Sequence, residues 1–523
     1  PVAFSGRVGW REGQLAISAG QLQFGTASVT GNLLLNQHSK LMQFDLDAQA
    51  PDLALYLPET LQLQNQAAIP ISLRSTGTVT PDAWHLETLQ LDSIQAVISG
   101  NGLLERDGDE FIDSHLNAEV KIANLSPFSS WVARPLPDQD LQLSAALDSK
   151  AGVLLIEQLK ILSGNSDLSV TGRAANPSFP TLSLAGQSQL INLAPWMPTL
   201  LPKKADAATE TAPASATPPI AQLIPDYPIS FDVWKGFEAG ISLNIDNLTG
   251  LVRPLEDLQS IFSLQRDGLR VDELSFDDGV NGSVALSGSL LNQDNIPQLY
   301  LALNGESLIY GMPKAPEEEA DALPAYDVKL RLTGSGATTQ AVASSLNGYL
   351  NLAMGSGYIL NTGFDRLSNT FLQELSNALN PFKEQQAMTA IDCAAVFNTI
   401  ENGQAFGKPS IVVDTPKVKI LADTHVSFDT EKVKASFKTI PQKGLGINLS
   451  SLVNPFVEVT GTLSAPRISL NPANTVVGGS LAVVTGGISL LLRSVLERLS
   501  TGGNICAKRL QKANEAMAEL DSK

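Results

Sequence analysis

Two cysteines in 523 residues, Cys393 and Cys506, are too few for a disulfide scaffold, and their spacing does not suit a zinc site. On residue grounds alone they are either one long-range disulfide or two buried thiols. Aromatic residues make up only 6% of the chain, which leaves little for the aromatic platforms of carbohydrate-binding surfaces. Basic residues are also short: 35 Lys and Arg face 53 Asp and Glu, for a formal net charge of −18. Nucleic acid needs a basic footprint, and anionic headgroups need a Lys/Arg cluster; the chain has neither. No nucleic-acid partner is therefore expected, and the acidic surplus reads as a solvated outer surface.

Catalytic constellations are missing too. The four histidines, His38, His85, His115 and His425, have no i, i+4 partner for a metal. There is no G-x-S-x-G elbow and no dinucleotide glycine fingerprint. "GQAFGKP" (403–409) is one residue short of a phosphate loop, with Pro409 where Ser or Thr would hold magnesium, so it reads as a turn. Carboxylates occupy outward positions of alternating segments and read as wet faces. No enzyme, cofactor or metal is expected. The opening "PVAFSGRVGW" has neither the charged nor the apolar region of a signal peptide and reads as mid-strand, the expectation for a fragment.

What the chain does have is a repeat. "ASVTGNLLLNQHSKLMQFDLDAQ" begins at residue 27, with related segments at 96, 168, 283 and 457. Each reads as a short strand ending in glycine, then a polar or Pro-containing turn, then a second alternating strand. The glycines are Gly31, Gly100, Gly172, Gly288 and Gly461, and the first three recur about every 70 residues, as a tandem supersecondary unit would. Between them alternation is clean. Leu116, Ala118, Val120 and Ile122 fall on one face against Asn117, Glu119 and Lys121. Val328, Leu330 and Leu332 oppose Lys329 and Arg331; Val433, Ala435 and Phe437 oppose Lys432, Lys434, Ser436 and Lys438. One apolar and one wet face predict antiparallel sheet. "DDGVNG" (277–282) and "SGNSD" (163–167) supply hairpin turns. The apolar face meets a second sheet in a closed sandwich, or it lines an open, curled trough. About 25 to 30 strands would make such a trough about 120 to 140 Å long.

Three segments break the pattern. Residues 202–222, rich in Pro, Ala and Thr, read as a linker between an N-terminal half, 1–201, and a C-terminal half, 223–475. A helix is predicted near 364–380, with Phe364, Leu367, Phe371, Leu375 and Leu379 on one stripe and Pro381 closing it. It would dock on a sheet end or act as a flap over an apolar groove. Residues 472–492 carry no charge and approach membrane-spanning length, but four glycines and several Ser, Thr and Asn weaken insertion. Residues 476–523 are expected to be helical.

The second half resembles the C-terminal region of the AsmA-like family of Gram-negative envelope proteins. The resemblance lies in "SLNGYLNLAMGSGYILNTGFDRLSN" (345–369), "AIDCAAVFNTIENGQA" (390–405), "VKILADTHVSFDTEKVKASF" (418–437), "PFVEVTGTLSAPRISLNP" (455–472) and the tail "GGSLAVVTGGISLLLRSVLERLSTGGNICAKRL". Upstream only the strand-and-glycine repeat supports it. It implies a mostly β fold in which a long curled antiparallel sheet forms a repeating β-groove, with a few amphipathic helices. It also implies a periplasmic protein held in the inner membrane by an anchor helix absent from this sequence. The implied function is anterograde phospholipid transport from inner to outer membrane, in support of outer-membrane lipid homeostasis. Acyl chains would lie in the groove, with the outer membrane or its proteins at the far end. The expected lining residues are Leu116, Val120, Ile122, Val328, Leu330, Leu332, Val418, Ile420, Val433 and Phe437. In that compartment Cys393 and Cys506 could pair, tying the C-terminal helical region back to the groove. The competing reading, suggested by the related TamB family, is an assembly or scaffolding factor for outer-membrane proteins that works by strand augmentation.

Overall fold

A computed structural model gives the fold. It describes residues 2–52, 70–94, 96–107, 110–129, 134–175, 180–197, 223–232, 235–251, 253–309, 323–360, 388–442, 456–471 and 504–522. The linker at 202–222, the helix predicted near 364–380 and the uncharged stretch 472–492 lie outside these residues. The protein is mostly β: pairing places 25 strands in one sheet, antiparallel but for a single pair, and two short strands in a separate hairpin. Among the described residues no pairing closes the sheet into a barrel.

Two compact units divide the chain. The first comprises Pro1–Glu210 and Gly236–Gln265. Its strands are β1 (Val2–Arg11), β2 (Gln14–Phe24), β3 (Ala27–Asn36), β4 (Leu41–Ala50), β5 (Ile71–Val79), β6 (Ala83–Ser93) and β7 (Ala96–Asp107). They continue as β8 (Glu110–Ile122), β9 (Leu141–Lys150), β10 (Val153–Ser163), β11 (Ser166–Ala175), β12 (Thr181–Asn192), β13 (Glu238–Thr249) and β14 (Leu255–Gln265). Each pairs with its neighbour in sequence, a meander built from local hairpins. β12 and β13 alone run parallel, from Thr181↔Glu238 to Asn192↔Thr249. The connection across 193–237 is long enough to return the chain to its starting rim, which parallel pairing requires.

The second unit comprises Thr211–Lys235 and Arg266–Lys523. It contains β15 (Gly268–Asp277), β16 (Ser283–Gln293), β17 (Ile296–Leu308), β18 (Tyr326–Ser335), helix α1 (Thr339–Ser344), β19 (Asn347–Met354) and the hairpin β20 (Gly357–Leu360) and β21 (Met388–Ile391). β22 (Cys393–Glu401), β23 (Gln404–Asp414), β24 (Val418–Ser427), β25 (Val433–Pro441), β26 (Phe456–Thr462) and β27 (Ala465–Asn471) complete its sheet, followed by helix α2 (Ile505–Asp521). Asn504 caps α2, its Oδ1 accepting the amides of Cys506 at 2.9 Å and Ala507 at 3.1 Å.

Two local expectations are corrected. The repeat glycines do not end strands: Gly31, Gly100, Gly172 and Gly288 lie inside β3, β7, β11 and β16. Each faces a β-bulge on the preceding strand, at Ile17/Gly20, Leu86/Leu89, Ile156/Leu159 and Val271/Leu274 respectively. A bulge bends its strand, and at each of these glycines the missing Cβ leaves room on the other side, for the strand that follows. A Cβ on Gly172 would lie 2.5 Å from the Ser183 carbonyl oxygen and 2.6 Å from Leu184 Cδ2. The segment 403–409 is likewise strand rather than turn. Asn402 and Gly403, both at positive φ, make the hairpin, and Gln404 already opens β23.

Candidate functional site: an apolar sheet face

Residues paired across neighbouring strands share a face of the sheet. In the first unit the register traces three rows from β2, two of them unbroken to β14 and the third to β11. The middle row is Gly20, Gly31, Leu46, Ser75, Leu89, Gly100, Ala118, Ala145, Leu159, Val170, Gly186, Leu243 and Ser260. On one side of it run Ile17, Leu33, Phe44, Gly77, Leu86, Gly102, Leu116, Leu147, Ile156, Gly172, Leu184, Ile241 and Phe262. On the other run Leu22, Val29, Ala48, Leu73, Leu91, Ile98, Val120, Leu143, Ile161 and Leu168. None of the three rows contains a charge. The middle row is dominated by small residues and forms a floor between walls of larger side chains. A recess of about 530 Å³ lies on the opposite, polar face, lined by Gln90, Ser99, Asn101, Asn117, Glu119 and Ser144.

This face is not a closed core. Buried apolar side chains among the described residues of the first unit are limited to Ala50, Leu125, Ile245, Leu248 and Leu255. Most of the row residues are half-buried, and Leu116 is 39% exposed. A facing sheet would bury them.

The second unit has the same arrangement. Leu274, Leu286, Leu303, Leu330 and Leu350 form one file across β15 to β19. Beside it, Phe276, Val284, Gly305, Val328, Leu352, Val396, Ile411, Ala422, Phe437 and Val457 continue to β26. Val271, Gly288, Leu301, Leu332, Gly348, Ile400, Ala405, Val426 and Val433 flank the other side.

Leu116, Val120 and Ile122 therefore lie on the apolar face of the first unit. Val328, Leu330, Leu332, Val418, Ile420, Val433 and Phe437 lie on that of the second. Their exposure differs. Val328, Leu330 and Leu332 are half-buried, whereas Val418 is 0% exposed and Phe437, within a packed core, 7%. The sequence reading missed the leucines of "SVALSGSLL", "LYLALNG" and "GYLNLAMG", whose alternation carries the same signal. It also missed that the repeat glycines stand on the lining face.

The opposite face of the second unit is covered in part by α2. Ile505 and Cys506 pack with Cys393, Ala395, Val412 and Leu421; Ala513 and Met517 pack with Tyr349 and Phe397. Cys393 and Cys506 form a disulfide. The helix is thus tied to the outer side of the sheet, away from the lining face. The Arg509 guanidinium sits 5.1 Å over the Phe397 ring and donates to the Phe397 carbonyl at 3.0 Å. Burial lowers its pKa, against the opposing pull of Asp423, while burial pushes the Asp423 carboxyl up. Arg331 anchors the far end of the helix through Asp521 at 2.5 Å. Among the described residues no group of three or more His, Cys, Asp or Glu is placed to hold a metal, and no helix is long and apolar enough to cross a membrane. No protein-family model and no curated protein matches the chain.

Proposed function

We propose that this protein carries phospholipid acyl chains along its apolar sheet faces, as a groove for transport from the inner to the outer membrane of a Gram-negative envelope. The carrying observation is the charge-free, half-open face that runs unbroken through β2–β14. Exposed apolar patches much above a few hundred Å² mark binding surfaces, and this one spans about 60 Å at the usual strand spacing. Each methylene laid against it gains about 0.8 kcal/mol, while successive rows offer nearly equivalent contacts, so a chain is held without being fixed. The Cys393–Cys506 disulfide fits an oxidising compartment such as the periplasm. The similarity to AsmA-like proteins in residues 345–510 supports the same reading.

Native mass spectrometry with lipid extraction tests it. The wild-type chain, purified in mild detergent and exchanged, is expected to retain several phospholipids. Val120→Asp and Leu330→Arg, each setting charge on a half-buried position of the face, are expected to lose them while staying folded by circular dichroism. A lipid-free wild type, under conditions where a known lipid carrier keeps its cargo, would rule the groove out and favour the strand-augmenting assembly factor.

A further inference from the structure

The leucine file of the second unit ends abruptly. The residue paired with Leu350 on β22 is Asn398. Its Oδ1 accepts from Thr424 Oγ1 at 2.8 Å, and Thr424 Oγ1 shares a 2.7 Å hydrogen bond with Ser410 Oγ. Gly407, the partner of Thr424 on β23, puts no side chain between them. Ser410 is fully buried. A hydrogen-bonded trio therefore stands in the register position that leucines occupy on the five preceding strands.

Beyond the trio the face is shut. Ala422, Ala435, Phe437, Val457 and Val459 are buried in one core cluster, Val457 at 2% exposure. The reverse side of β22–β24 is covered by α2 and its disulfide. On the apolar face of these strands Ile400, Ala405, Ser410, Val418 and Ala422 are buried, whereas every leucine of the file on β15–β19 is half-buried. A core at native packing density has no room for an acyl chain, and parting the trio would leave polar groups unpaired in an apolar setting.

We infer that the apolar face of the second unit is a track with a dead end. Acyl chains lie on β15–β19, stop at Asn398, Thr424 and Ser410, and enter or leave this unit over the rims of β15–β19 rather than past β26. The inference rests on the lipid reading above. The test is a phosphatidylethanolamine with a diazirine in its acyl chain, loaded into the full chain, photolysed and mapped by peptide mass spectrometry. Label is expected at Leu286, Leu303, Leu330 and Leu350, with none above the unphotolysed control at Phe437, Val457 and Val459. Label at Phe437, Val457 and Val459 as strong as at Leu330 would overturn the dead end and leave lipid carriage standing. Absence of label throughout both units would overturn both.

Discussion

Asp278 is 1% exposed, and its carboxylate accepts the amides of Val280, Asn281, Gly282 and Ile309 at 3.1, 3.3, 2.9 and 3.0 Å. Burial works to raise its pKa, but the four amide donors outweigh burial and hold it below the usual carboxylate value. A depressed carboxylate stabilises the fold fully above its unfolded value of about 3.9, and that contribution is lost as pH falls through the lower folded value. Asp278→Ala is expected to destabilise the protein by about 3 kcal/mol at neutral pH by stranding buried amides. The urea midpoints of wild type and Asp278→Asn should converge as pH drops below about 3.9. A gap independent of pH would mean that the charge contributes nothing. The glycines act at the same scale by a different means. At Gly172 the missing Cβ lets β11 close on β12 opposite a bulge, so the residue shapes the wall by absence.

The helix α2 is an element that tertiary contacts must hold, because the sheet surface beneath it is partly polar. Only Ile505, Cys506, Ala513 and Met517 are buried along its 17 residues. The disulfide spans 113 residues, and closing a loop of that order removes about 4.7 kcal/mol of unfolded-state freedom in the chain-entropy account. Cys506→Ser is therefore expected to lower the melting temperature and to raise amide exchange in 505–521 before exchange rises in β22–β24. Simultaneous loss of protection in helix and strands would show that the two are one cooperative unit. The strands themselves were largely legible: Leu116, Val120 and Ile122, or Val328, Leu330 and Leu332, announce their shared face by period-two alternation. The rows that join them were not, since register follows from hairpin geometry and bulges, and the glycines opposite the bulges do not say how far each register shifts. The trio of Asn398, Thr424 and Ser410 was illegible for the same reason. Its members are separated in sequence and meet only through pairing. Nor could alternation tell the open positions from Val418 and Phe437, which show the same pattern but are buried, Phe437 in a packed core.

At the scale of the whole molecule, each unit keeps an apolar face half open to water, an arrangement that needs both an occupant and protection from self-association. The acidic surplus, −18 overall, supplies the protection through mutual repulsion between copies. On the proposed lipid reading, stripping lipid away leaves that face without its occupant. An environment-sensitive apolar dye distinguishes this from a closed sandwich, because a native sandwich offers it little surface. Delipidated protein is expected to bind anilinonaphthalene sulfonate strongly while retaining its native circular dichroism and a cooperative melt, which separates an open native face from a molten state. Titration with phospholipid should then quench the signal in proportion to the lipid taken up. Val120→Asp should weaken the dye signal and the quenching together, because both report the same rows. Weak dye binding by a well-folded, lipid-free chain would mean that the half-buried rows are covered in solution, and the apolar face would then be core rather than passage.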